Sequence, residues 1–188
     1  SPAVDSRPRS TAEAGEFGLG GGSTVSGLFD VSGKVVLVTG GSRGIGKMIA
    51  RGFVEHGAKV YIVSRKADVC EQVAKELSAQ GTCIPLPADL STDAECRRLA
   101  SEFAARESAL HVLVNNAGAN WGAPLEEYPD AAWDKVLALN VKSIFHLTRA
   151  LVPQLENAST GDDPARVMNI GSIDGLQVPQ LETYAYSS

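Results

Sequence analysis

A chain of 188 residues, 44% hydrophobic and 21% charged, suits one domain, and a domain of about 160 residues buries roughly 70% of the surface its unfolded chain exposes. A net charge of −5 with scattered lysines and arginines leaves no electrostatic footprint for nucleic acid or an anionic membrane, and no apolar run approaches the roughly 20 residues that cross a bilayer. Cys70, Cys83 and Cys96 are odd in number and lack C-x-x-C spacing, which outlines neither a disulfide framework nor a zinc site and fits packing thiols in a reducing intracellular compartment, the cytoplasm or an organelle.

Residues 1–27 are rich in Ser, Gly, Pro and Ala and end in Gly18-Leu19-Gly20-Gly21-Gly22-Ser23. They read as a flexible leader, with the domain over 28–188. The leader has no apolar core of the kind a secretory signal needs, and Asp5, Glu13 and Glu16 argue weakly against an organelle-targeting segment.

Beyond the leader, short apolar runs alternate with longer amphipathic stretches. The first strand is expected over 34–38 and is followed by a helix with Ile45, Met48, Ile49 and Phe53 on its apolar face, stopped by Gly57. A second strand over 59–63 leads to a helix over 66–79 that packs Val69, Val73, Ala74 and Leu77. A third strand over 82–86 and a helix over 92–106 precede a fourth strand over 111–114. One long helix over 130–152 packs Trp133, Val136, Leu137, Ile144 and Leu151 and ends near Pro153; the fifth strand spans 166–170. This order predicts an α/β fold, a Rossmann-type doubly wound parallel sheet in a three-layer α/β/α arrangement. Ligands then gather outside the carboxyl ends of the strands, where Thr39, Ser64-Arg65, Asp89, Asn115 and Ser172 all fall.

The clearest chemical signal is Thr39-Gly40-Gly41-Ser42-Arg43-Gly44-Ile45-Gly46, placed between the first strand and the first helix. The first N–H groups of a helix lack intrahelical partners and the macrodipole is positive there, so a pyrophosphate finds donors aimed at it. Gly40 permits the tight turn, while Gly44 and Gly46 remove side chains that would hold phosphate off the backbone and helix off the sheet.

Thr39-Gly40-x-x-x-Gly44-x-Gly46, Asn115-Asn116-Ala117-Gly118, Asn140 in Leu139-Asn140-Val141, Ser172 and a tyrosine near the end together resemble the short-chain dehydrogenase/reductase family over about residues 30–188. The stretches from Trp121 to Glu126 and from Ala165 to Ser172 look like the branch of beta-ketoacyl reductases associated with rhamnolipid synthesis. The resemblance implies a nicotinamide cofactor across the rim, held by Thr39, Gly40, Ser42, Arg43, Gly44, Ile45, Gly46, Ser64, Arg65, Asp89, Leu90, Asn115, Ala117 and Gly118. It sets Asn115 and Ala117-Gly118 beside the adenosine half and Asp89 near the adenine, whose exocyclic amine a carboxylate can accept. Two alternatives stand: Asp89 starts the next helical segment with Ser91, and Asn115 and Asn116 serve as turn residues.

Cofactor choice is read at the end of the second strand. An enzyme for NAD would place a carboxylate there; this chain has Ser64-Arg65-Lys66. Arg65 can pair bidentately with a 2′-phosphate and Arg43 can add a second charge, so the expected cofactor is NADP(H).

The resemblance further implies NADPH-dependent reduction of a carbonyl, for instance that of a 3-oxoacyl thioester, on a small-molecule substrate. Ser172 would anchor the carbonyl oxygen and a tyrosine would protonate it, helped by a lysine four residues on, because free tyrosine titrates near 10. Four after Tyr184 stands Ser188, which favours Tyr186; four after Tyr186 lies beyond the sequence, and Tyr184 remains the alternative. Asn140 sits in an apolar helical stretch and needs a partner, either in the family's proton relay or in a structural bond within the helix. The resemblance also implies pairing through the fourth and fifth helices, which makes a homo-oligomer the expectation for an intact protein. The sequence is expected to stop partway through its domain, before the last strands and helices, and alone to bind cofactor weakly without turnover. A non-catalytic NADP-binding or dimerising fragment is the rival. His56, His111 and His146 lack ligand spacing and read as structural, so no metal is expected.

Overall fold

The computed structural model describes residues 29–177 and 181–188; the leader expected over 1–27 lies outside them. Val31–Ser188 forms one unit.

Within it, five strands form one parallel sheet in the order β3-β2-β1-β4-β5: β1 (Val35–Thr39), β2 (Lys59–Val63), β3 (Thr82–Pro85), β4 (Val112–Asn115) and β5 (Arg166–Asn169). The helices are α1 (Gly44–Glu55), α2 (Ala67–Leu77), α3 (Asp93–Ala104), α4 (Asp130–Leu137), α5 (Ser143–Ala158) and the short α6 (Tyr184–Ser187). Side chains alternate across a strand, so one sequence supplies two cores. Val36, Val38, Val60, Ile62, Val112 and Val114 pack with Ala50, Val54, Val73 and Leu77 from α1 and α2. Leu37, Tyr61, Val63 and Leu113 pack on the other face with Leu99, Phe103, Leu147 and Leu151 from α3 and α5. This is the α/β/α arrangement the sequence implies. Strand order reverses between β1 and β4, which opens a crevice at their carboxyl ends. Among the described residues no helix is long and apolar enough to cross a membrane.

Several expectations need correction. Ile45 and Met48 are 61% and 71% exposed rather than buried. The buried face of α1 is Gly46, Ala50 and Val54, an i, i+4 row of small residues that lets the helix lie close to the sheet. Pro153 does not end the long helix, because α5 continues to Ala158. The missing N–H falls on an exposed face, where the freed carbonyl of Arg149 is open to solvent, and Leu155 and Ala158 keep burying apolar surface beyond it. The long helix is also not uniform: a π-helical turn, Ala138–Lys142, separates α4 from α5. Trp133 is 36% exposed and stands outside the core.

All three cysteines are buried and free. Burial pushes Cys83 up to about 12 and Cys96 up to about 11, and raises Cys70 as well, so none is poised as a thiolate.

His111 takes a structural role. Its Nδ1 accepts the Val35 N–H at 3.0 Å, which ties the start of β1 to β4 and requires a neutral ring. Burial, then the nearby Lys34, holds its pKa below the ordinary value, opposed by Asp163. The unfolded chain therefore binds the proton first. This contribution is complete above about pH 6.5 and is lost as pH falls from there through the lower folded value. Urea unfolding at pH 7.5 and 5.5 should show the loss, and His111→Asn, which keeps an acceptor but no titration, should remove that part of the slope.

Candidate functional site

The crevice is a cavity of about 550 Å³ lined by the glycine turn, the ends of β2 and β3, and the outlet of β4. Gly40 and Gly44 adopt φ of +66° and +51°, left-handed values that let the chain turn sharply from β1 into α1. Gly46 is glycine for a different reason: a Cβ there would lie 2.3 Å from Gly40 O and 2.4 Å from Asn116 Nδ2. Arg43 at the N-cap makes no capping bond with its side chain, and the first turn of α1 holds no acidic residue. Its N–H groups and its positive end therefore face the cavity without an internal anion.

A buried polar hub fixes the walls. Thr39 Oγ1 donates to Val114 O at 3.2 Å and accepts the N–H groups of Asn116 and Ala117, both at 2.9 Å. Asn116 Nδ2 donates to Thr39 O at 3.0 Å and to Gly40 O at 3.4 Å. The ends of β1 and β4 are thus cross-bonded beneath the glycine turn. Three basic residues stand at the mouth. Arg43, Arg65 and Lys66 line the cavity and are exposed, and no Asp or Glu lines it among the described residues. Ile45, Val63, Val69, Ala88, Leu90 and Leu139 supply apolar walls.

The structure brings together most of the expected binding residues: Gly40, Ser42, Arg43, Gly44, Ile45, Gly46, Ser64, Arg65, Leu90, Ala117 and Gly118 all line this cavity. Three do not. Thr39 is 1% exposed and spends its hydroxyl on the hub. Asp89 Oδ1 accepts the Ser91 N–H at 3.1 Å in a local turn, and it does not start the next helix as the alternative had it, because Thr92 caps α3. Asn115 Nδ2 donates away from the cavity, to Asn169 Oδ1 at 2.9 Å and Thr148 Oγ1 at 3.4 Å. Sequence reasoning did not assign Lys66, Val69, Ala88, Asn116 or Leu139 to the cavity. Lys66 adjoins Arg65 and Asn116 adjoins Asn115, but position along the chain alone does not say which neighbour faces inward.

Asn140 has its partner outside its own helix. From the π-helical turn its Oδ1 accepts the Ala119 N–H at 2.8 Å and its Nδ2 donates to Ala119 O at 3.0 Å. This two-way pairing clamps the chain leaving β4, in place of the bond within the helix. Ser172, exposed just past β5, caps a short 3-10 turn: its Oγ accepts the Asp174 N–H at 3.2 Å. The hydroxyl hydrogen is left to donate elsewhere. Tyr186 lies half-buried in α6, and among the described residues no hydrogen bond joins it to Ser172.

Tyr184 is engaged differently. Its ring meets Tyr128 edge-on at 5.2 Å, and it lines a second cavity of about 690 Å³ with Leu125, Trp133, Leu176 and Leu181. Desolvation, then Glu182 and Glu126, raises its pKa, which is the wrong direction for acid-base work at neutral pH.

Known proteins share this arrangement. The rhamnolipids biosynthesis 3-oxoacyl-(acyl-carrier-protein) reductase of Pseudomonas aeruginosa is 49% identical over 158 residues, 84% of this chain and 62% of the relative. The NADP-dependent (R)-specific alcohol dehydrogenase of Lentilactobacillus kefiri is 35% identical over 146 residues, 78% of this chain and 57% of the relative. Among solved structures, the Pseudomonas aeruginosa RhlG/NADP active-site complex superposes with a TM-score of 0.82 at 48% identity, covering 85% of this chain and 62% of that one. The chain thus spans less than two thirds of the length of these relatives. Residues 34–188 match the short chain dehydrogenase family. With glycine turn, asparagine outlet and parallel sheet all in place, the chain belongs to the short-chain dehydrogenase/reductase family.

Proposed function

We propose that the chain is the cofactor-binding part of an NADPH-dependent carbonyl reductase that converts a ketone, such as a 3-oxoacyl thioester, to an alcohol. One observation carries the reading: among the described residues three cations and no carboxylate line the cavity in front of the uncapped start of α1. A carboxylate at the end of β2 would repel a 2′-phosphate, whereas Arg65 can grip it with a bidentate charge-assisted pair and Arg43 and Lys66 can add charge. The residues present therefore fit NADP(H). The names of the Pseudomonas and Lentilactobacillus relatives point the same way.

When bound, the nicotinamide supplies the hydride. The chain's own part is to bind, orient and protonate. Gly40, Ser42, Gly44, Ile45 and Gly46 seat the pyrophosphate, and Ser64, Arg65 and Arg43 hold the phosphorylated ribose. Leu90, Ala117 and Gly118 flank the adenosine half, with Asp89 at the rim and Thr39 and Asn115 acting from behind, through the backbone and strand they bind. Ser172 donates its hydroxyl hydrogen to the carbonyl oxygen, and Tyr186 gives the proton. Asn140 keeps the β4 outlet in place. The domain over 28–188 with a leader over 1–27 stays part of this proposal, as does a reducing, intracellular setting, supported by three free buried thiols.

Pairing between copies is also proposed. Val141, Phe145 and Val152 are 58%, 59% and 39% exposed and recur at helical spacing along the π turn and α5, an apolar stripe that a second copy would cover.

Titrating the protein with NADPH and NADH tests the reading. NADPH should bind more tightly, and Arg65→Ala should weaken NADPH by about 10- to 100-fold while leaving NADH nearly unchanged. Equal or tighter binding of NADH overturns it.

A further inference from the structure

The chain from Trp121 to Tyr128 runs beside the chain from Glu182 to Ala185. Ala123 N–H donates to Glu182 O at 3.1 Å. The Tyr128 ring meets Trp133 edge-on at 6.1 Å and Tyr184 at 5.2 Å. Its hydroxyl donates to Trp121 O at 3.3 Å and accepts the Ala185 N–H at 3.1 Å. A phenol has one hydrogen and two lone pairs, so one group serves as donor to one segment and acceptor from the other.

Helix α6 needs such help. The first N–H groups of a helix have no acceptor within it, and the Thr183 side chain caps none of them, its Oγ1 meeting Leu181 O and Ser187 Oγ instead. Ala185 is 3% exposed, so its N–H cannot turn to water, and Tyr128 provides its acceptor. The next residue is Tyr186. On the other side, the same outlet segment is clamped at Ala119 by Asn140, and it begins at Ala117 and Gly118 in the cavity wall. A strip of chain that walls the cofactor cavity at one end thus grips the turn bearing Tyr186 at the other.

We propose that Tyr128 is a positioning residue whose hydroxyl holds the first turn of α6, and with it the phenol of Tyr186, against the outlet of β4. It rests on the reading of Tyr186 as proton donor, but not on the identity of the substrate. The hydroxyl matters more than the ring, because edge-on aromatic contacts tolerate sliding and a pair of hydrogen bonds does not.

Tyr128→Phe keeps the ring contacts and deletes the hydroxyl. Amide hydrogen exchange should show Ala185 exchanging about tenfold faster. The Tyr186 ring-carbon resonances should move as the turn that carries the phenol shifts. NADPH affinity should not change, since Tyr128 does not line the cavity. In the intact enzyme, with a ketone substrate, kcat should fall by about three- to tenfold with KM for NADPH unchanged. Unchanged exchange at Ala185 overturns the proposal. So does faster exchange with the Tyr186 ring resonances and kcat unaltered, which would make Tyr128 structural only. If the intact enzyme reduces no ketone while Tyr128→Phe alters both Ala185 exchange and the Tyr186 ring resonances, the positioning role stands and the reductase reading falls.

Discussion

Gly46→Ala is expected to destabilise the domain and weaken NADPH binding, whereas Gly52→Ala, six residues along the same helix, should stabilise it. Both replacements gain the helix propensity of alanine, up to about 1 kcal/mol. At Gly52 nothing lies within 4 Å of the new methyl, so the gain survives. At Gly46 the methyl would sit 2.3 Å from the Gly40 carbonyl oxygen and 2.4 Å from Asn116 Nδ2. Neither atom can yield cheaply, because Gly40 is the backbone of the turn and Asn116 Nδ2 is engaged by Thr39 O and Gly40 O. Overpacking of this kind costs about 1–3 kcal/mol, more than the propensity returns, and it moves α1 off the turn that is to seat the pyrophosphate. Urea unfolding should separate the two variants in sign. Gly46→Ala binding NADPH as tightly as the parent would contradict the site.

Tyr186→Phe is expected to lower ketone reduction by the intact enzyme by about 10²- to 10⁴-fold in kcat, the usual contribution of a positioned proton donor, with NADPH affinity preserved. Tyr184→Phe is the contrast. Its phenol is pushed up rather than down, by desolvation and by the carboxylates of Glu182 and Glu126, and its ring is committed to Tyr128 and the second cavity. Removing its hydroxyl should leave kcat near that of the parent. Steady-state rates with NADPH and a 3-oxo ester decide the assignment, and the opposite ranking would transfer the proton to Tyr184.

Elements whose own pattern dictates them are legible directly. Strand β2 falls where the run Val60-Tyr61-Ile62-Val63 requires it, and the glycine turn lies where a strand meets a helix. Features that depend on partners far along the chain are not. Asn115 and Asn116 are chemically identical neighbours, yet one faces Asn169 and Thr148 and the other Thr39 and Gly40. Only the alternation of side chains at the end of β4 decides which is which. Pro153 reads as a stop because its cost is local, whereas Leu155 and Ala158, which outweigh it, gain their burial from the sheet. The π turn leaves no mark in a periodic pattern, and neither does the reach of Asn140 from it across to Ala119.

The cross-bonds from Thr39 and Asn116 have an energetic corollary for how a ligand would dock. Because the hydrogen bonds that set the width of the crevice are satisfied within the protein, a dinucleotide arriving there has little loop ordering to impose, and its association free energy is spared that entropic penalty. Holoprotein and apoprotein should then share one backbone geometry from β1 to the first turn of α1, a lock shaped before its key.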